Sequence, residues 1–305
     1  MAPSLKPLAP VPDGGKLRLI APANFVKERD VVPGIRFLKS QGYDVSPCAR
    51  LFAQAGQFAG PDKLRAQSLM DAFADPTVDA IISARGGYGS PRFLDLVDWD
   101  LVAANPKPFV GFSDITAVLT ALVLHCKMPA FHGPMVRDLG DTTDDKTHRG
   151  FLEALRGTHL DWPQLWEGVK VLREGCATGP LIGGNITVLA SIAGSNMPLE
   201  ADGAILLLED VGEYIYRMDR ALVQLARSGA FEGLKGVIIS DLVDVEDGNV
   251  PFGLSATDMI LSHFPGVPVI ADFPAGHGPI KATLPLGVSV TLDANNDSPS
   301  LRLAD

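Results

Sequence analysis

Through its first half the chain alternates short apolar runs with longer stretches whose apolar positions recur at helical spacing. KLRLIAPA (Lys16–Ala23) precedes ERDVVPGIRFLKSQGY, DVSPCARL precedes DKLRAQSLMDAFADP, VDAIISA precedes a glycine loop and SPRFLDLVDW, and PFVGF precedes DITAVLTALVLH. Strand and helix taken in turn is the pattern of βαβ units on a parallel sheet. The spacing predicts an α/β domain with a doubly wound, flavodoxin-like sheet over residues 1–160.

From Gly140 to Gly179 the periodicity loosens into charged, tryptophan-bearing text with one short helix near HRGFLEALRG, and residues 161–178 read as a linker. A C-terminal domain is expected over 179–305. It opens with PLIGGNITVLASIAGS, read as a glycine turn leading into a helix, and continues through GAILLLEDVGE, YRMDRALVQLARSGAF, LKGVIISDLVD and PVIADFPAGHG. The alternation and prolines of KATLPLGVSVTLDA at its end predict antiparallel or barrel-like strands, so this domain reads as mixed α+β and barrel-like.

Composition narrows the function classes. A length of 305 residues suits two domains and hence a cleft between them. A formal charge of -10 repels a nucleic-acid backbone and an anionic membrane surface, so neither is expected as a partner. Three separated cysteines, Cys48, Cys126 and Cys176, fit buried thiols in a reducing compartment better than a disulfide framework or a zinc site. Pro and Gly interrupt the first residues where an export signal needs an unbroken apolar run, and no apolar run approaches the roughly 18–20 residues that span a bilayer. The chain therefore reads as cytoplasmic.

In open parallel sheets the functional crevice lies beyond the carboxyl ends of the strands. In KPFVGFSDITAVLTALVLHC, Ser113 and Asp114 sit where a strand run meets a helix, as a helix N-cap or as a nucleophile on an exposed turn beside helix-end N–H groups. RGGYG (Arg85–Gly89) is a tight turn or a cradle of backbone amides for an anion; it is neither a Walker loop nor a dinucleotide fingerprint. The greasy run AILLLEDVGE ends in Glu209 and Asp210, suited to orienting a histidine, binding a divalent cation or capping a helix. In PAGHGPI, glycines on both sides of His277 leave its ring unscreened for proton transfer. Of the other histidines, His132 in FHGPM has a comparable loop-like setting, while His125, His148, His159 and His263 fall in or near helical or linker text. No H-x-x-x-H or H-E-x-x-H occurs, and no metal site is expected.

The ordered set RGGYG, GFSDITAVLTAL, FHGPM, GGNITVLASIAG, LLLEDVGEYIYRMDRALVQL and PAGHG…ATLPLGV resembles the LD-carboxypeptidase family of serine peptidases, which also contains the microcin-immunity peptidases. The resemblance implies Ser113 as nucleophile, His277 as general base and then acid, and Glu209 as the orienting carboxylate. It also implies an oxyanion hole from the backbone N–H groups of Gly87 and Asp114. Exopeptidase action further needs a group to hold the substrate's free carboxylate, which Arg85 or nearby backbone N–H groups can supply, and Arg85 and Tyr88 are taken as the substrate contacts. GFSD carries phenylalanine where tyrosine is frequent, and the elbow departs from G-x-S-x-G. The activity implied is hydrolysis of an L,D amide bond, releasing terminal D-alanine from murein tetrapeptide in peptidoglycan recycling, by a homodimer without a cofactor. A microcin-type peptidyl or aminoacyl nucleotide conjugate is the alternative substrate. A non-catalytic binding protein for an anionic metabolite is the rival from another class, and it requires no convergence of Ser113, Glu209 and His277.

Overall fold

The computed structural model describes residues 5–158, 162 and 165–304; His159 lies outside the described residues. Strands β1 (Lys16–Ile20), β2 (Asp44–Pro47), β3 (Ala80–Ser83), β4 (Phe109–Gly111) and β5 (Ala130–His132) form a parallel array in the order β2-β1-β3-β4-β5. This is the flavodoxin-like order that the alternating pattern predicts. Helices α1 (Glu28–Ser40), α2 (Asp62–Ala74), α3 (Trp99–Ala104), α4 (Thr116–Thr120) and α5 (Asp145–Arg156) cover its faces. Val31, Leu38, Phe151 and Leu155 pack with Leu17, Leu19 and Ile82 on one side, and Leu69, Phe73, Val118 and Leu122 pack with Ile20, Ile81 and Phe109 on the other. Every residue of β3 and β4 is buried, because a parallel strand is covered on both faces and so reads as an unbroken apolar run.

The second domain is built on β6 (Lys170–Arg173), β7 (Gly175–Asn185), β8 (Ile205–Val211), β9 (Gly236–Val243), β10 (Val269–Phe273), β12 (Ser289–Ala294) and β13 (Ser300–Leu303), ordered β13-β12-β7-β8-β9-β10-β6. Its centre, β7 to β10, is parallel, with α6 (Ile186–Ser191), α7 (Ile215–Arg227) and α8 (Ala256–Ser262) as the crossovers; antiparallel pairing is confined to β6, β12 and β13 at the edges. The α7 helix buries Ile215, Met218, Ala221, Leu222 and Leu225, one stripe at helical spacing. The remaining strand, β11 (Leu284–Leu286), returns to the first sheet and pairs antiparallel with β5, Leu284 opposite His132 and Leu286 opposite Ala130. One apolar cluster runs from Leu119 and Leu122 through Leu181 and Ile182 to Leu207, so the two sheets share a core.

Several local readings change. Residues 170–173 and 175–178, read as linker, form β6 and the start of β7. The GGN of PLIGGN is the end of β7 rather than a turn: a Cβ on Gly184 would lie 2.5 Å from Thr116 Oγ1, so glycine admits the other domain's helix at close range. SPRFLDL forms a 3₁₀ helix with Pro91 at its start, and Asp98 then caps the separate α3 by accepting from Leu101 N–H at 2.9 Å. DITAVLTALVLH passes from a 3₁₀ turn (Ser113–Ile115) through α4 into a π-helical turn (Ala121–His125). His132 is the buried last residue of β5 and not a loop residue. No helix among the described residues is long and apolar enough to cross a membrane.

Candidate active site

Ser113 follows β4 after one extended residue, Phe112, and has φ of +62°, a left-handed conformation that costs a non-glycine residue about 1–2 kcal/mol. This sharp turn presents the side chain at the carboxyl end of the sheet. No side chain caps the helical run that begins here, so the N-cap reading of Ser113 and Asp114 does not hold. The Asp114 carboxylate instead accepts the N–H groups of Gly89 (3.1 Å) and Ser90 (2.7 Å), and the Ser90 hydroxyl donates to the Asp114 carbonyl. Burial pushes the Asp114 carboxyl above the usual range against those amide bonds. Asp114 thereby ties the Ser113 turn to the glycine loop.

That loop approaches Ser113 closely. A Cβ on Gly86 would lie 3.1 Å from Ser113 Cβ and 3.2 Å from its Oγ, and one on Gly87, where φ is +116°, would lie 2.5 Å from the Asn24 side chain. Asn24 Oδ1 accepts Tyr88 N–H at 3.2 Å. The N–H groups of Gly87 and Asp114 donate to no loop acceptor among the described residues. Beneath the loop lies Arg65, fully buried, which donates to the carbonyls of Pro22 and Gly89 at 2.7 Å each and to Asp62, and whose guanidinium faces the Phe58 and Phe93 rings at 5.0 and 5.1 Å. Arg65 thus fixes the loops after β1 and β3 together. Arg85 is half-buried, with Nη1 donating to Phe25 O at 3.3 Å and Nε buried without a partner; burial and the neighbouring Arg137 hold its pKa down. Tyr88 is 51% exposed at the rim, tilted against Phe58.

The second domain contributes Glu209 and His277. Glu209 is wholly buried in β8, and its Oε2 lies 2.7 Å from His277 Nδ1. Burial pushes the Glu209 carboxyl up while His277 opposes the shift, and Oε1 is buried without a partner. A carboxylate only accepts, so Nδ1 carries the proton and Nε2 is left for chemistry. The imidazole packs at 4.9 Å between centroids on Phe112, the residue before Ser113. Ser113 and His277 form no hydrogen bond among the described residues, and bonds between catalytic groups commonly tighten only in the complex with substrate. The adjacent Asp210 has the cap-like role instead: it accepts from Asn185 Nδ2 (2.9 Å), Thr187 N (3.0 Å) and Thr187 Oγ1 (2.8 Å).

Sequence reading missed the supports. Arg65 lay in a helical run and Asn24 in the loop after the first strand run, neither with a chemical role assigned. Ser240 within β9 donates to Phe273 O (2.6 Å) and accepts from Ala275 N (3.0 Å), while Lys281 Nζ donates to Gly278 O (2.7 Å) and lies 5.8 Å over Phe112. His132 donates from Nε2 to Ala275 O across the domain junction; burial lowers its pKa to about 4 and its Nδ1 has no partner. Only SD after VII, and FHG, hinted at these roles, through polar residues that follow apolar runs. Among the described residues no group of three His, Cys, Asp or Glu side chains is placed to hold a metal ion.

The family profile described as LD-carboxypeptidase N-terminal domain matches residues 17–133, and that of the LD-carboxypeptidase C-terminal domain matches 178–292. A Streptomyces coelicolor protein assigned provisionally as a carboxypeptidase is 36% identical over 94% of this chain and 93% of its own. The murein tetrapeptide carboxypeptidase of Pseudomonas aeruginosa is 33% identical over 93% of this chain and 95% of its own. The crystal structure of muramoyltetrapeptide carboxypeptidase from Oxalobacter formigenes superposes with a TM-score of 0.82 at 29% identity, covering 95% of this chain and 99% of that one.

Proposed function

The chain belongs to the LD-carboxypeptidase family, and on that premise we propose that it is a serine carboxypeptidase whose Ser113, His277 and Glu209 act as one unit. The observation that carries this reading is the pairing of His277 Nδ1 with the wholly buried Glu209 at 2.7 Å, on a ring packed against the residue that precedes Ser113. An unactivated serine is a poor nucleophile at neutral pH, and a histidine held in one tautomer by a carboxylate removes that barrier. His277 Nε2 takes the Ser113 proton as Oγ attacks the scissile carbonyl. The oxyanion that forms is met by the N–H groups of Gly87 and Asp114, each worth about 3 kcal/mol at comparable sites. His277 then protonates the leaving amine. Water, deprotonated by the same imidazole, attacks the acyl-Ser113 ester and frees the enzyme.

The proposed substrate is a murein tetrapeptide, in line with the names of two relatives, cleaved at its terminal L,D amide to release D-alanine. The carboxylate of that residue pairs with Arg85, whose Nε has no protein partner, and Tyr88 lines the rim. Purified protein is tested for D-alanine release from murein tetrapeptide, beside an all-L peptide and an aminoacyl nucleotide conjugate. Release from the tetrapeptide alone is expected. Cleavage of the nucleotide conjugate alone would contradict the substrate, and inactivity on all three would contradict the enzyme.

A further inference from the structure

His277 stands between two glycines, and the structure gives those glycines a reason beyond an open ring. A Cβ on Gly276 would lie 3.1 Å from the Cβ of both Glu209 and Asp241, and one on Gly278 would lie 2.7 Å from Asp241 Oδ1. Asp241, in the C-terminal half of β9, therefore packs directly against the loop that carries His277. Its Oδ2 accepts from both flanking amides, Gly276 N–H at 2.8 Å and Gly278 N–H at 3.2 Å. Two bonds from one carboxylate bracket a single residue and fix where its Cα stands, while Glu209 fixes the rotation of its ring.

We propose that Asp241 is a positioning residue for His277, holding it through the two neighbouring amides and adding a second negative charge beside the imidazole. The inference rests on the proposed role of His277 and extends it. Charged and titratable groups face His277 from each surrounding element: Glu209 from β8, Asp241 from β9, Asp138 from the turn after β5, His132 from β5 and Lys281 from the segment that follows it. Asp241 and Lys281 oppose each other in sign, and Lys281 is held to the same loop through Gly278 O. Replacing Asp241 by a neutral group of the same shape thus leaves Lys281 less opposed and disfavours the imidazolium.

Asp241→Asn and Asp241→Ala are compared with the wild-type protein by kcat/KM against pH and by the NMR titration of the His277 ring, the latter independent of any substrate. In Asp241→Asn the acid limb and the ring titration are expected to move together to lower pH by about half to one unit. Asp241→Ala, which also loses both amide bonds, is expected to lose roughly 100-fold in kcat with KM little changed. A purely structural role would lower activity or stability without moving either titration. Titrations of Asp241→Asn that superpose on wild type would overturn the proposal. If the wild-type protein releases no D-alanine, the activity reading fails while the ring titration still decides the role of Asp241.

Discussion

Ser113 and His277 sit at strand ends in different sheets, and they are held in different ways. The Ser113 side adds steric constraint to its hydrogen bonds: a left-handed φ of +62°, a loop where a Cβ on Gly86 would come to 3.2 Å from Oγ, and a buried arginine donating to that loop's Gly89 carbonyl. The His277 side is organised by hydrogen bonds from acceptors, with Glu209 on the ring and Ser240 and Asp241 on the loop. Added volume should therefore be the sensitive perturbation on the first side, and loss of charge or of an acceptor on the second. In the roles proposed for them, a nucleophile must be presented in one place, whereas a base must also have its proton affinity set, which electrostatics does.

The largest expected effect is on the electrostatic side. Glu209→Gln keeps the shape but inverts the preferred tautomer of His277, and should lower kcat about 10⁴-fold with little change in KM, read as D-alanine release. On the Ser113 side, Arg65→Met removes the donors to Pro22 O and Gly89 O and leaves Asp62 with Arg92 alone, and a loss of about 3 kcal/mol is expected in urea unfolding. Next, Gly86→Ala places a methyl 3.2 Å from Ser113 Oγ and should cost roughly 100-fold in kcat/KM while the urea midpoint stays near wild type. A Gly86→Ala variant of full activity would mean that the close approach of the loop is incidental.

The smallest effect near neutrality concerns His132, which bridges the two sides. Its pKa is depressed from 6.5 to about 4, so the unfolded chain binds the extra proton between those values and stability is lost as pH falls through that window. His132→Asn retains an N–H donor for Ala275 O without titrating. The stability of wild type relative to this variant should fall with a slope approaching about 1.4 kcal/mol per pH unit between pH 6.5 and 4, and be flat above pH 7. A pH-independent difference would show that His132 does not titrate with unfolding.

The sequence displayed what lies at strand ends and concealed what lies between them. Ser113, Glu209 and His277 each follow an apolar run, so their place at the carboxyl edge of a sheet could be read from hydrophobic pattern alone. Their supports act across the fold: Arg65 reaches Pro22 and Gly89 from helix α2, and the Asp114 carboxylate reaches the loop after β3. Nothing local marks such a contact, because an arginine or aspartate in an amphipathic segment has the same spacing whether it faces water or a buried carbonyl. The 3₁₀ and π departures in the helical text were equally invisible, since their apolar spacing reads as ordinary helix. The parallel centre of the second sheet was hidden by the alternating strands at its edge.

That two differently held halves make a single catalytic unit is tested most directly by a double-mutant cycle of Ser113→Ala and His277→Ala, measured as D-alanine release from murein tetrapeptide. Groups that act together give a double variant no slower than either single one, each retaining only the residual rate supplied by the oxyanion donors and binding. Losses that multiply in the double variant, or a Ser113→Ala variant that keeps wild-type release, would contradict the convergence of the two halves on one reaction.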